Sequence, residues 1–344
     1  MDEVTKSDLL DLLDQAMADG WSHRRACGVL ELKESRAWRW RDRRLGNRLA
    51  DSKPGGHPVH GLLDEERNEI VALFEQWADT DRSHRKIAHR GSYLGRVWVS
   101  PSTVKRVLAA RGLHLRHPRP AGKGERRRFP EWASYSKNSI WIYDATHFRH
   151  CRTASATAIM DLVTRKWLAT IVSAEQTSTQ VQVVFTQALE AEGLLDEIGN
   201  RADSVTAEQP PILLAVSDNG PQMTSGSTRE FMAMCAIAQH FGRPGTPTDQ
   251  AWIESLFSHL KAEWPHLDRI NDPAMLRDEL EIVRKEYNTV RLHAGIGYVT
   301  PDDEHEGRGP GIRQARKDGL ESARQKRIAY HRQKSQLPES QNED

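Results

Sequence analysis

The chain has 344 residues, which predicts two or three domains. Hydrophobic residues make up 38% and charged residues 28%, a balance that suits a soluble, core-forming protein and excludes wholesale disorder. No apolar run approaches the roughly 20 residues of a membrane helix, and the opening Met1-Asp2-Glu3-Val4 is too polar for a signal peptide. A cytoplasmic protein with no membrane partner is expected.

The net charge of +1 conceals a strong polarity along the chain. Residues 1–135 hold 26 Lys and Arg against 19 Asp and Glu, a net of +7. Residues 136–306 hold 14 against 24, a net of −10, and residues 307–344 hold 9 against 5, a net of +4. Basic flanks suit a polyanion and an acidic centre suits divalent cations. Cys27, Cys151 and Cys235 form no CxxC pair, which argues against a disulfide framework and a cysteine-based zinc site.

In chain order, residues 1–52 read as a helix-turn-helix domain. A first helix runs from Ser7 to Ala18, a second follows Ser22, and a third starts with Ser35 as its cap. The third helix reads Arg36-Ala37-Trp38-Arg39-Trp40-Arg41-Asp42-Arg43-Arg44, and Trp38 and Trp40 are expected to pack rather than stack on bases. Residues 60–114 read as a second, possibly winged, helix-turn-helix domain. Its expected helices are Leu63 to Trp77, Arg82 to Arg90 and one capped by Ser100 with Pro101 at its first position, with a small strand or wing over 91–99. Residues 115–137 form a basic linker, and 306–344 a basic, polar C-terminal tail.

Between them, residues 138–305 alternate strands and helices. Strands are predicted at Ile140–Asp144, Ala156–Val163, Trp167–Val172 and Ile212–Val216, with a fifth beginning at Gln239. Helices are predicted at Thr179–Leu189, Thr228–Ala238, Trp252–Glu263 and Pro273–Tyr287. The pattern predicts an α/β core: a mixed five-stranded sheet flanked by helices.

Three carboxylates stand out in this core. Asp144 ends the first predicted strand, Asp218 follows Val216-Ser217 at the end of another, and Glu254 opens a helix after a gap of 35 residues. Carboxyl ends of strands are where open α/β sheets place their sites. Phosphodiester cleavage must stabilise charge on both the attacking and the leaving oxygen, and two metal ions about 3.5–4 Å apart do both. Oxygen ligands suit Mg²⁺. Taken singly, each residue has a plainer reading as a turn or solvated helix residue.

The surrounding motifs resemble those of DDE transposases of the retroviral integrase catalytic-core superfamily. Tyr143-Asp144-Ala145-Thr146-His147-Phe148 resembles their first strand, and Ala158-Ile159-Met160-Asp161-Leu162-Val163-Thr164-Arg165 their second. Ser217-Asp218-Asn219-Gly220-Pro221-Gln222 is similar to their SDxGxQ motif. Asp249-Gln250-Ala251-Trp252-Ile253-Glu254-Ser255-Leu256-Phe257 with Leu260-Lys261 is similar to their glutamate helix. Tyr287-Asn288, Arg291, His293, Gly297-Tyr298 and Pro301 resemble the closing motif. The nearest resemblance is to the bacterial insertion-sequence family numbered three. Ser258 departs from the Lys or Arg usual there, and the retroviral His-His-Cys-Cys module is absent.

The resemblance implies an RNase H-like fold in which Asp144, Asp218 and Glu254 hold two Mg²⁺ ions, with Mn²⁺ as a substitute. It also implies that double-stranded DNA, both element ends and target, is the substrate, that a homo-oligomer of two or more copies works on it, and that Lys261 contacts DNA near the cut. The flanks supply further DNA-binding candidates: Arg36, Arg39 and Arg43 in one helix, Lys105 and Arg106 in another, and Arg127 in the linker. The alternatives are a transposase-derived DNA-binding regulator without catalysis, and a two-metal nuclease without strand transfer.

Overall fold

The computed structural model describes residues 2–46, 48–51, 58–115, 133–151, 153–202, 209–242 and 251–336. It divides into two compact units, the first taking in residues up to Gly61 and from Lys334, the second Leu62–Gln333.

In the first unit, α1 (Glu3–Ala18), α2 (His23–Val29) and α3 (Glu34–Leu45) close around Leu10, Leu13, Ala26, Cys27, Leu32, Ala37 and Trp40. Asp2 caps α1 by accepting from the Thr5 amide at 2.8 Å, so the helix starts earlier than Ser7. Ser35 is not the cap of α3: Lys33 occupies that position without a side-chain bond. The chain enters α3 straight after the buried Leu32, two residues sooner than the serine suggests.

The second unit begins with α4 (Asp64–Trp77), α5 (His84–Tyr93) and α6 (Pro101–Ala110) around Ile70, Leu73, Ile87, Val104 and Leu108. The expected cap holds: Ser100 accepts from the Thr103 amide at 3.2 Å. The stretch 91–99 is neither strand nor wing. Val97 and Val99 are buried among the three helices, so their apolar side chains serve helix packing. Gly91 allows that approach, since a Cβ there would meet Val97 Cγ1 at 2.8 Å.

The sheet comprises β1 (Ile140–His147), β2 (Ser155–Asp161), β3 (Trp167–Ser173), β4 (Leu213–Ser217) and β5 (Ile237–Phe241), in the order β3-β2-β1-β4-β5. β1–β2 and β2–β3 pair antiparallel, whereas β1–β4 and β4–β5 pair parallel. This is the RNase H-like arrangement expected. Period-two alternation sorts side chains between two cores. Ile140, Ile142, Leu214 and Val216 face α11 (Ala251–Glu263) and α12 (Pro273–Thr289). Trp141, Tyr143, Leu213 and Ala215 face α7 (Ser178–Ala191). The helix expected to reach Ala238 stops at Met234, because Ala236 takes a left-handed φ of 53° and β5 starts at Ile237.

After α13 (Pro301–His305), the segment read as a polar tail contains a single helix, α14 (Gly309–Gln336). Its arginines do what apolar residues usually do. Arg316 donates to the carbonyls of Gly297 and Tyr298 at 2.8 and 2.9 Å, and Arg327 to Glu66 and the Trp98 carbonyl. The same kind of contact joins α4–α6 to the sheet unit: Tyr93 donates to Asp303 at 2.6 Å and Arg90 to the Val290 carbonyl at 2.8 Å. No described helix is long and apolar enough to cross a membrane.

Candidate carboxylate site

Asp144 lies within β1 rather than at its end, because β1 runs on to His147 by pairing with β2 as far as Ser155. It does mark the point where β4 leaves β1. Their parallel register pairs Ile142 with Val216, and two residues further along both strands bring Asp144 level with Asp218. Neighbouring strands lie about 4.8 Å apart. Both aspartates continue the even-numbered face, the face covered by α11 through Ile253, Leu256, Phe257 and Leu260. Glu254 sits in the first turn of that helix and is exposed. Register directs Asp144 and Asp218 toward the edge of the sheet formed by the carboxyl end of β4, and α11, which carries Glu254, packs on the same face.

The local bonds set each aspartate. Asp144 Oδ1 accepts from the Ala145 amide at 2.7 Å, and Asp218 Oδ1 from the Gly220 amide at 2.9 Å. A Cβ at residue 220 would stand 3.0 Å from Asp218 Oδ1, so glycine permits the tight turn. Asn219 donates to the Gly242 carbonyl at 2.7 Å and ties the turn to the end of β5. Burial raises Asp144 to about 6 against the bond from Ala145, and the charges of Asp218 and Glu254 add to the rise. Among the described residues, no group of three His, Cys, Asp or Glu side chains is gathered closely enough to close around an ion. The donor set itself, three carboxylates without sulfur, is of the hard-oxygen type that suits Mg²⁺ or Mn²⁺.

Lys261, two turns after Glu254, reaches the same edge. Its ammonium donates to Thr146 Oγ1 at 2.9 Å and lies 5.6 Å from the centre of the Phe148 ring. The remaining basic candidates stand elsewhere. Arg36, Arg39 and Arg43 are exposed on α3, whereas Arg41 and Arg44 are tied to Asp14 and Asp11 of α1. Trp40 packs in the core, while Trp38 is 56% exposed with the His23 ring against it. Lys105 and Arg106 are exposed on α6. Arg127 falls outside the described residues, as do most of the linker and the Asp249-Gln250 part of the glutamate motif.

Two further motif residues, Asp161 and Asn288, have structural roles. Asp161 is fully buried and accepts from the amides of Asn138, Val163 and Thr164 at 2.6, 2.8 and 2.7 Å, fixing the β2–β3 turn and the entry to β1. Asn288 grips the edge of β3 by accepting from Trp167 N and donating to Trp167 O, both at 2.9 Å. A buried carboxylate or amide in an otherwise apolar run was the available signal.

Several known proteins are similar to this chain. Residues 134–247 match one family model described as an integrase core domain, and residues 235–301 match a second with the same description. The transposase for insertion sequence element IS904 from Lactococcus lactis subsp. lactis (strain IL1403) is 25% identical over 168 residues, 48% of this chain and 60% of that protein. An uncharacterized 39.2 kDa protein of insertion element IS476 from Xanthomonas euvesicatoria is 31% identical over 85 residues, 25% of each chain. The match thus spans less than two thirds of either relative. Among solved structures, a simian T-cell lymphotropic virus intasome chain is 19% identical, with a TM-score of 0.40 over 60% of this chain and 67% of that one. The HTLV-2 integrase catalytic core in complex with magnesium is 18% identical, with a TM-score of 0.37 over 49% and 97%. Residues 134–301 of this chain are thus similar to integrase core domains.

Proposed function

We propose that the protein is a DNA transposase, which binds the terminal repeats of a mobile element, cleaves DNA at its ends and joins the freed 3′-OH to target DNA. What supports this reading is the direction of Asp144 and Asp218 by the parallel register, with Asp144 drawn up to about 6 by burial and by the charges of Asp218 and Glu254. A carboxylate in that state gains from a nearby cation. Two Mg²⁺ ions, or Mn²⁺ in their place, would be held by these carboxylates and supply the positive charge that phosphoryl transfer needs.

The chain's own groups then have distinct tasks. Asp144 on β1 and Asp218 just past the end of β4 orient the ligand set from the sheet, and Glu254 closes it from α11. Lys261, anchored on Thr146, neutralises a DNA phosphate beside the reacting bond. In the first step water adds to phosphorus and the P–O3′ bond breaks, leaving a 3′-OH. In the second that hydroxyl attacks a target phosphodiester, a new P–O bond forms and the target's own 3′ oxygen leaves. Arg36, Arg39 and Arg43 on α3, Lys105 and Arg106 on α6, and Arg127 bind the element end, and a homo-oligomer brings two ends together.

The IS904 relative, named a transposase, supports this over a nuclease without strand transfer. The intact carboxylate set favours it over a transposase-derived DNA-binding regulator. The test is cleavage and joining of labelled DNA carrying the element's own ends, in Mg²⁺, by the native chain and by Asp218→Ala. Both products should form with the native chain and vanish in the variant and in chelator. End binding without cleavage by either protein would leave the regulator; cleavage without joining would leave the nuclease.

A further inference from the structure

Helix α11 carries Glu254 in its first turn and ends at Glu263, and that last residue is firmly held. Arg291 Nε and Nη2 donate to Glu263 Oε2 and Oε1 at 2.7 and 2.9 Å, with the Arg291 residue 4% exposed. Burial pushes Glu263 up, but the bonds from His259 and Arg291 hold it far below the usual carboxylate range. Arg82 donates to the Ala262 carbonyl at 3.0 Å, and Trp264 Nε1 to Glu286 of α12 at 3.1 Å.

The segment bearing Arg291 is itself braced on two sides. Arg90 of α5, locked to Asp81 by bonds of 2.7 and 3.3 Å, donates to the carbonyl of Val290 at 2.8 Å. Asn288 grips the edge of β3. Glu263 lies nine residues beyond Glu254, roughly 14 Å along the helix.

We propose that Arg291, backed by Arg90, is a positioning residue that sets where α11 stands along the sheet and so keeps Glu254 at the edge that Asp144 and Asp218 share. The physical reason lies in the packing. The face that α11 lays on the sheet is Ile253, Leu256, Phe257 and Leu260, and an apolar ridge tolerates small shifts at small cost. A two-pronged guanidinium–carboxylate pair in a buried setting accepts one geometry. The closing motif thus acts on chemistry it does not touch. It also links α4–α6, with Lys105 and Arg106, to the same brace. This inference rests on the carboxylate reading proposed above.

The experiment measures Mn²⁺ binding to the metal-free full chain by calorimetry, with thermal melting and duplex-DNA affinity alongside, for native protein, Arg291→Lys, Glu263→Asp and Asp218→Ala. Both brace variants keep the charge and change only the geometry; the second serves if the first fails to fold. A folded brace variant should bind Mn²⁺ about 10–100-fold more weakly, the range seen when partners behind metal ligands are altered, with DNA affinity within about twofold of native. Native-like Mn²⁺ affinity in a folded brace variant would overturn the positioning role while leaving the carboxylate site standing. Equal Mn²⁺ binding by native chain and Asp218→Ala would overturn both.

Discussion

Replacing Asp144 with Asn should stabilise the metal-free protein at neutral pH. Burial, reinforced by Asp218 and Glu254, raises this carboxyl from 3.8 to about 6. A rise of about two units is worth about 3 kcal/mol at about 1.36 kcal/mol per unit. Asp144 is only half-buried, and screening reduces the effect to about 1–2 kcal/mol. The sign follows from proton binding. Between about pH 4 and 6 the folded chain holds more protons than the unfolded chain, so this group's contribution falls as pH rises and its full cost is present above about 6. Asn keeps the bond from the Ala145 amide and carries no charge. In chelator at pH 7.5, Asp144→Asn should melt higher by about 2–8 °C, at about 2–4 °C per kcal/mol for a unit of this size. At pH 4 the gain should vanish. Mn²⁺ should raise the melting point of the native chain and leave the variant nearly unmoved. A melting point that is unchanged or lower in Asp144→Asn at pH 7.5, or an equal gain at pH 4, would refute the reasoning.

Other perturbations separate structure from chemistry. Asp161→Ala strands the amides of Asn138, Val163 and Thr164, the last of them buried, and should lose about 2–3 kcal/mol by urea unfolding; a loss under about 1 kcal/mol would contradict that role. Lys261→Gln should cut cleavage about tenfold or more, the effect of losing about 1.4 kcal/mol of phosphate contact, while melting within a few degrees of native. Removing Arg36, Arg39 and Arg43 together, each to Gln, should lower the slope of log affinity against log salt by about 2.7 if each meets a phosphate. An unchanged slope with altered sequence preference would assign them to base edges instead.

The candidate carboxylates were easier to pick out from the sequence than the structure around them, for physical reasons. Asp144 and Asp218 were visible because apolar runs end near them, and the parallel register then sets them level. The strand holding Asp144 was cut short because Ala145-Thr146-His147 lacks an apolar pattern, although β2 pairs with it throughout. The Val97–Val99 stretch was taken for a wing because β-branched residues suit strands; three helices claim them instead. Helix α14 escaped notice because what seats it is arginine bonded to carbonyls rather than an apolar stripe. The pairs Asp81–Arg90 and Glu263–Arg291 join partners 9 and 28 residues apart, and no periodicity announces such a match.

The most direct test of the carboxylate site is a crystal structure of the full chain with Mn²⁺, in which anomalous scattering locates the ions. The account predicts two peaks about 3.5–4 Å apart, ligated by Asp144, Asp218 and Glu254, and their loss in Asp218→Ala. Saturating Mn²⁺ with no peak at these three carboxylates, or ions bound equally in the variant, would contradict it.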